Sequence, residues 1–458
     1  MTEYDAFIRR KADIKVFDGI DIDRDTTPAY LFDHQKDLVR WALAKGRAAI
    51  FADTGLGKTA MQLAWASEVS KRGRVLILAP LAVADQTREE GKRFDVDIAY
   101  RREDAGDRIT ITNYEMLTHF DPSEFIGVVL DESSILKSFT GSTRNAIIGA
   151  FGATPFRLAC TATPAPNDFT ELGNHSEFLG VKTRVEMLAE YFTHDMKTTQ
   201  EWRIKGHAVK AFWTWIASWG AVVRVPSDLG YDDGAYRLPP LRMHEHVIPV
   251  DLKIAQSRGV LFPVNVTTLS DQRAERRATI DARVKKTRDL CIGDDSAIVW
   301  CELNNESEQC AATIEGAVEI TGSDSVDEKV RKLAAFADGA IRVLVTKPSI
   351  AGFGLNWQHC ARMVFVGASH SYEQTYQAIR RCWRFGQNRP VDVHVIRAET
   401  EQLVIDNYRR KEADAARLGA EMASMIGDSV RSEVQSASKR EFNVYNPDVT
   451  MEVASWCK

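Results

Sequence analysis

Short apolar, β-branched runs recur along this chain, and an amphipathic stretch follows each of them. The first set is RAAIFA (47–52), RVLILAP (74–80), RITIT (108–112), GVVLDE (127–132) and RLACTATP (157–164). The second is AIVWCE (297–302), AVEIT (317–321), IRVLVT (341–346), RMVFVG (362–367) and DVHVI (392–396). A run that is apolar at nearly every position suits a strand buried on both faces, the condition inside a parallel sheet. Between the runs the spacing is helical. One such stretch begins at Thr59 and sets Met61, Ala64, Trp65 and Val69 on one side. Alternating strands and helices imply α/β architecture, and two separate sets imply two parallel-sheet lobes.

The material between the sets divides the chain further. Residues 1–27 read as an N-terminal extension and 28–164 as the first lobe. Residues 165–225 read as a helical insertion of that lobe, carrying Trp202, Trp213, Trp215 and Trp219. PSDLGYDDGAYRLPP (226–240) is rich in Pro, Gly and Asp and reads as the linker. Residues 241–426 form the second lobe, with a helical insertion near 251–290, and 427–458 a polar tail. FWTWIASW places Phe212, Trp215, Ile216 and Trp219 on one helical face, a pattern of core packing.

Composition closes off several classes. No run of about 18 apolar residues occurs, so no membrane partner is expected. The first residues lack the apolar region of a secretory signal. Seven cysteines are scattered without a CxxC pair, which argues for buried thiols in a reducing cytoplasm, against a disulfide framework and against zinc. The ten histidines read as structural or surface groups. Net charge is −5, which excludes a bulk polycation but leaves room for a local nucleic-acid contact.

The chemistry gathers first at ADTGLGKT (52–59), between a strand run and a helical stretch. Gly55 and Gly57 let the backbone turn its N–H groups toward phosphate oxygens. Lys58 neutralises the β- and γ-phosphates, the Thr59 hydroxyl reaches Mg²⁺, and the next helix points its N-terminus at the anion. The strict pattern places Gly where this chain has Ala52. VVLDESS (128–134) then sets two carboxylates at the end of a strand. Asp131 is suited to hold Mg²⁺ through water, and Glu132 to polarise an attacking water.

CTATP, with Thr161, Ala162 and Thr163, closes the next strand run. In this order the motifs resemble those of superfamily-two helicases, and more narrowly their Swi/Snf-type translocase branch. The AxxGxGKT form of the loop belongs to that superfamily. LFDHQKDLVRWAL (31–43), LAPLAVADQTREEGKRF (78–94), ITNYEML (111–117), DESSILKS and AGFGLNW (351–357) are similar to its other motifs. QAIRRCWRFGQNRPV (377–391) is close to its QAxxRxxRxGQ, with Gln377, Ala378, Arg381, Arg384, Gly386 and Gln387 all in place. The resemblance spans roughly residues 28–415. Two positions depart from it: Ser134 stands for the usual His, and the Arg-Arg-x-Lys before the linker is reduced to Arg224. Accessory histone-reading or DNA-spacing domains are not recognisable, so a compact bacterial or phage form is the better fit.

The resemblance implies two RecA-like lobes of the P-loop NTPase type, with ATP and Mg between them. Nucleotide contacts then fall on Gln35 (adenine), Thr54, Gly55, Gly57, Lys58, Thr59, Gly354 and Gln377, and Mg contacts on Thr59 and Asp131. Arg381 and Arg384 lie three apart, so on a helix they share a face and reach the cleft as arginine fingers. Nucleic-acid phosphates would meet Pro80, Thr112, Asn113, Lys137, Thr346, Lys347, Asn356 and Trp357, Trp357 serving equally well as core. The basic run 273–288 reads first as a solvated helix face. The implied function is an ATP-dependent motor that translocates on DNA, duplex favoured, with single-stranded DNA or RNA as other tracks. A strand-separating helicase is one alternative, and an ATP-gated clamp that does not move is another. An acidic chain of this kind is expected to be a cytoplasmic monomer that grips its track weakly and with strong salt dependence, and to need a protein partner or a junction for tight loading.

Overall fold

The computed structural model describes residues 17–137, 141–166, 168–194, 202–250, 269–351, 356–369 and 371–435. Four features read from the sequence lie wholly or partly outside them: residues 1–16 of the extension, 251–268 of the second insertion, Gly354, and 436–458 of the tail.

The first set of runs forms one parallel sheet. Its strands are β1 (Arg47–Ala52), β2 (Arg74–Ala79), β3 (Ala99–Tyr100), β4 (Ile109–Asn113), β5 (Phe125–Asp131) and β6 (Phe156–Cys160). A hairpin of β7 (Phe192–His194) and β8 (Trp202–Ile204) follows, then β9 (Gly220–Val223), which joins the sheet at its edge. The order is β3-β4-β2-β5-β6-β1-β9, and every pairing is parallel. The second sheet opens with β10 (Leu241–Ile248), which is not among the runs, and the second set then gives β11 (Ala297–Trp300), β12 (Ala317–Glu319), β13 (Val343–Thr346), β14 (Arg362–Phe365) and β15 (Val391–Ala398). These also pair in parallel, in the order β10-β15-β14-β11-β13-β12. In β1 and β2 every residue but the first is buried, which is why the runs show no alternation.

Residues 165–225 are not helical throughout. Helices Leu172–Leu179, Arg184–Tyr191 and Val209–Ala217 are joined by the hairpin and end in β9, whose residues Gly220 to Val223 pair with Ala49 to Ala52 of β1. Four apolar residues directly after an aromatic helix give no separate period, so the strand is hidden in the sequence. The aromatic face packs as expected: Phe212, Trp215, Ile216 and Trp219 are all buried. Residues 226–240 run from β9 of the first sheet to β10 of the second through two short 3-10 turns, Pro226–Leu229 and Gly234–Tyr236.

The last helix, Gln402–Gln435, does not stay with the second lobe. At 1.5 Å per residue its 34 residues span about 50 Å. Near its start Val404 and Ile405 pack on Ala368 of the second lobe. Near its end Met422, Ala423 and Ile426 are buried within the core of the first lobe, and the Arg431 guanidinium donates to the Asp228 carbonyl at 3.0 Å. The second-lobe boundary read at 426 therefore runs through a single helix that straps the lobes together. Its polar sequence hides this because only one narrow stripe is apolar. Ile426→Ala should cost about 2–4 kcal/mol of stability, as for other buried aliphatic truncations. Met425→Ala, half exposed on the neighbouring position, should stay within about 0.5 kcal/mol. Denaturant melts of the two variants check this, and equal losses would contradict the strap.

Candidate nucleotide cleft between the lobes

In a parallel sheet the loops after the strands all leave from one edge, which is where α/β folds bind ligands. β1 ends at Ala52, and the chain turns through Gly55 (φ 97°) and Gly57 (φ 77°) into the helix Lys58–Ser70. Both angles lie in the left-handed region that glycine enters without strain. Gly57 is also required by space, since a Cβ there would stand 2.3 Å from Gln35 Nε2. Gln35 braces the loop from outside: its Nε2 donates to the Leu56 carbonyl at 2.9 Å, and its Oε1 accepts from the Phe32 N–H at 3.0 Å. Lys58 Nζ donates to the Ala52 carbonyl at 3.0 Å, folded over the loop it follows. Thr54 Oγ1 is a buried polar atom with no hydrogen-bond partner among the described residues.

Two strands away, β5 delivers the acidic pair. Asp131 is buried. Its Oδ1 accepts from Gln62 Nε2 at 2.7 Å and from the Glu132 N–H at 3.1 Å, and its carbonyl accepts from the Tyr114 hydroxyl at 2.6 Å. Burial and the adjacent Glu132 push its carboxyl up to about 6. Glu132 has φ 52°, an uncommon conformation for a residue with a Cβ and one that collects at functional sites. The Thr161 hydroxyl, from the end of β6, donates to Glu132 Oε2 at 3.4 Å. Ser134 is buried, and Ser133 Oγ lies 3.1 Å from His175 Nε2. Burial pushes His175 down to about 4, so it is neutral at physiological pH.

The second lobe closes the cleft. The helix Tyr372–Ile379 stops before the two arginines, so Arg381 and Arg384 do not share a helix face. They sit in the turns that follow, where Arg381 is locked by Nε to the Gln377 carbonyl (2.9 Å) and Nη2 to Gln377 Oε1 (3.0 Å). Gln377 Nε2 is buried without a hydrogen-bond partner among the described residues. A Cβ on Gly55 would lie 3.1 Å from the Phe385 N and 3.8 Å from the Arg384 Cβ, so this turn rests directly on the phosphate loop. Burial lowers the pKa of Arg381 against the pull of Glu132 and Asp131. Burial and the charge of Arg381 push Arg384 down to about 9. Both shifts record two guanidiniums crowded together out of water.

Sequence reading passed over two features of the cleft. Arg380 and Tyr376 reach across to Asp53, the first residue of the phosphate loop. Phe32, Tyr236 and Phe385, from three separate segments, form an aromatic group with ring centroids 4.9–6.1 Å apart. No motif spacing joins such distant positions; only Arg380, beside Arg381, carried a hint.

The nucleic-acid candidates fare unevenly. Thr112 and Thr346 are buried, Thr346 Oγ1 donating to the Ile320 carbonyl at 3.1 Å, so neither offers side-chain surface. Trp357 is buried core, its ring 5.3 Å from Phe336 and 6.2 Å from Trp300. Asn113 is nearly buried, its Nδ2 donating to Glu115 Oε2 at 2.9 Å. Lys137 pairs with Glu373 of the second lobe, and Lys347 Nζ donates to Asn304 Oδ1 at 2.5 Å. Pro80 caps the helix Leu81–Arg93 half exposed, and Asn356 Oδ1 is buried without a hydrogen-bond partner. The basic run is not simply a solvated face. Arg276 is buried against Glu302 and Glu306, and Arg283 against Glu401 at 2.7 Å, where strands such as β15 need covering.

Residues 282–386 match the family model described as the helicase conserved C-terminal domain. The matched segment lies within the second lobe and includes the turns that carry Arg381 and Arg384, and together with the phosphate loop on the first lobe it supports a helicase-type ATP-hydrolysing enzyme. No curated protein matches it in sequence. Among solved structures it is similar to the Sulfolobus solfataricus SWI2/SNF2 ATPase core in complex with dsDNA, at 17% identity over 84% of this chain and 89% of that one, with a TM-score of 0.41. Among the described residues, no helix is long and apolar enough to cross a membrane.

Asp131 yields a test. Its pKa stands near 6 in the folded chain against 3.8 in the ordinary carboxylate. Between those values the native state holds more protons than the unfolded one, so this group's contribution to stability falls as pH rises from about 4 to about 6. Asp131→Asn removes the buried charge. In metal-free buffer at pH 8 it should stabilise the protein by roughly 1–3 kcal/mol, a gain that vanishes near pH 4. Melting curves across that range decide it: a destabilised variant at pH 8 would contradict the assignment.

Proposed function

We propose that this protein is an ATP-driven motor of the Swi/Snf-type branch that moves along nucleic acid, with duplex DNA as its track. One observation carries the reading: phosphate loop, acidic pair and paired arginines come from two separate sheets and meet in one cleft. The residues present suit a nucleoside triphosphate. Backbone N–H groups of the glycine turn and the N-terminus of Lys58–Ser70 favour phosphate. The unsatisfied Thr54 Oγ1 and Gln377 Nε2 offer polar atoms, and two crowded guanidiniums favour an anion between them. In this reading Gln35 meets adenine, while Lys58 and Thr59 meet the terminal phosphates. The cleft also suits Mg²⁺, which binds through one or two carboxylates with phosphates and water completing its shell; Asp131 and Thr59 supply that set. When bound, the metal neutralises charge on the phosphates.

Glu132, held by Thr161, orients and deprotonates the attacking water. Arg381 and Arg384 stabilise charge growing on the γ-phosphoryl oxygens. Because the arginines ride on the other lobe, hydrolysis requires closure, and loss of the phosphate charge releases it. Alternate closure and reopening moves two contact surfaces along a backbone. Phosphate contacts carry no sequence information, as suits a motor. The six described cysteines are buried thiols outside any disulfide, which favours a reducing compartment, the cytoplasm of a bacterium or an infected host. We place the chain there as a monomer that a protein partner loads.

Steady-state ATPase with duplex DNA, single-stranded DNA and RNA, followed by triplex displacement and strand-unwinding assays, tests this. Duplex-stimulated turnover with triplex displacement and without unwinding is expected. Unwinding would point to a strand-separating helicase, stimulation without displacement to a static clamp, and no stimulation by any nucleic acid would sink the motor. Glu132→Gln and Arg384→Ala should still bind ATP, the arginine variant losing roughly 10³-fold in hydrolysis. Unchanged turnover in Arg384→Ala would refute its role.

A further inference from the structure

One face of the helix Tyr372–Ile379 is docked on the first lobe. Glu373, Tyr376 and Arg380 stand at i, i+3 and i+7, which is a single stripe. Glu373 pairs with Lys137, at the end of the 3-10 turn Ser133–Lys137 that follows the acidic pair. Arg380 pairs with Asp53 Oδ2, and the Tyr376 hydroxyl donates to Asp53 Oδ1. The stripe therefore touches both loops of the first lobe that the nucleotide reading uses, and Arg381 is the next residue along.

The contact on Asp53 is rigid from both sides. Asp53 Oδ1 also accepts from the Thr54 N–H at 2.6 Å, and the Asp53 N–H donates to the Val223 carbonyl at 2.9 Å, so the carboxylate belongs to the loop's own frame. Arg380 Nε donates to the Tyr376 hydroxyl at 3.2 Å, and its guanidinium lies 4.9 Å from the Trp383 ring centre and 5.4 Å from that of Tyr376. Trp383 in turn donates from Nε1 to the Pro239 carbonyl of the linker at 2.7 Å. Burial would push Asp53 up, but Arg380 and the three hydrogen bonds outweigh it and hold the carboxyl below its ordinary value. A buried pair of this kind acts over a short range, and losing one partner strands the other's charge out of water.

We propose that Arg380 and Tyr376 form a clasp on Asp53 that holds the second lobe on the phosphate loop and so sets Arg381 and Arg384 against Glu132. Arg380 is thus a positioning residue, acting through the two arginines that follow it, and this role rests on reading the cleft as the site of ATP hydrolysis. Lobe opening must break the clasp, and closing must remake it. The device rests on an acid at the start of the loop and a base one residue before the paired arginines.

The clasp itself is tested without nucleotide. Val185 and Ile292, exposed on the two lobes, are replaced by labelled cysteines in a Cys457→Ser background, and the interlobe distance distribution is measured by energy transfer. Arg380→Gln and Asp53→Asn should each broaden it, Tyr376→Phe less so, and the double variant no more than either single. An unchanged distribution overturns the clasp whatever the enzyme does. The positioning role is tested on turnover. Arg380→Gln should lose about 10²-fold in kcat, the scale of a misplaced catalytic group, with KM for ATP held within about threefold. Asp53→Asn added to it should cost little more, since coupled residues are not additive. Losses that multiply independently, or a loss wholly in KM, overturn the role. A parent chain without ATPase activity would refute the nucleotide reading and with it the positioning role, leaving the distance measurement to decide the contact.

Discussion

Each lobe gathers like charges that it cannot balance alone. On the first, Asp131 and Glu132 stand side by side at the end of β5, and burial together with their repulsion pushes the Asp131 carboxyl up to about 6. On the second, Arg381 and Arg384 crowd one turn, and burial with mutual repulsion pushes Arg384 down. Both penalties arise from taking charge out of water, and both shrink when the lobes face each other. The influence of Glu132 and Asp131 already reaches Arg381, and that of Glu132 reaches Arg384. Closure is thus favoured by the same groups that would work on a bound triphosphate, which couples the machine's shape to its chemistry.

Two sheets brought together only by such forces would separate freely, and beyond contacts such as Lys137–Glu373 this chain restrains them through its linker, its last helix and the cleft. The linker 226–240 connects them covalently, and Trp383 bonds to its Pro239 carbonyl. The last helix starts on the second lobe and buries Ile426 in the first. Asp53, Arg380 and Tyr376 join the lobes within the cleft. The first two lie outside the cleft and allow rotation about themselves. The third sits beside the chemistry and must open for the cleft to exchange its contents.

The strands were legible because parallel sheets bury both faces, which leaves apolar runs such as RVLILA that need no period to be seen. The phosphate loop and acidic pair were legible because their chemistry demands fixed residue types at short spacing. β9 was not, being four residues continuous with an aromatic helix, and the strap helix was not, because its apolar stripe of Met422, Ala423 and Ile426 is thin beside its charges. Arg381 and Arg384 were singled out by pattern but wrongly placed on one helix face: the helix ends at Ile379, and a three-residue spacing reads the same in a turn. Thr112, Thr346 and Trp357 show the converse limit. A residue at a strand end looks accessible in sequence, and whether it faces the edge or the core depends on neighbours such as Ile320 and Phe336 that lie far away in the chain.

The acidic balance takes on a different meaning once the ion pairs are known. Of the cations nearest the cleft and the second sheet, Lys137 is committed to Glu373, Arg380 to Asp53, Arg276 to Glu302 and Glu306, and Arg283 to Glu401. These charges hold the protein together and are withheld from a polyanionic track. Under the proposed function each phosphate neutralised by a lysine or arginine would add close to one unit to the salt dependence of binding, and these internally paired groups would add nothing to it. For the proposed motor, backbone N–H groups at strand ends and helix starts are a further source of phosphate contacts. Such donors bind phosphate without releasing many counterions. They are also displaced whenever the lobes shift, because they are fixed to the frame. For a motor that must let go once per cycle, a net charge of −5 and internally paired arginines work in the same direction.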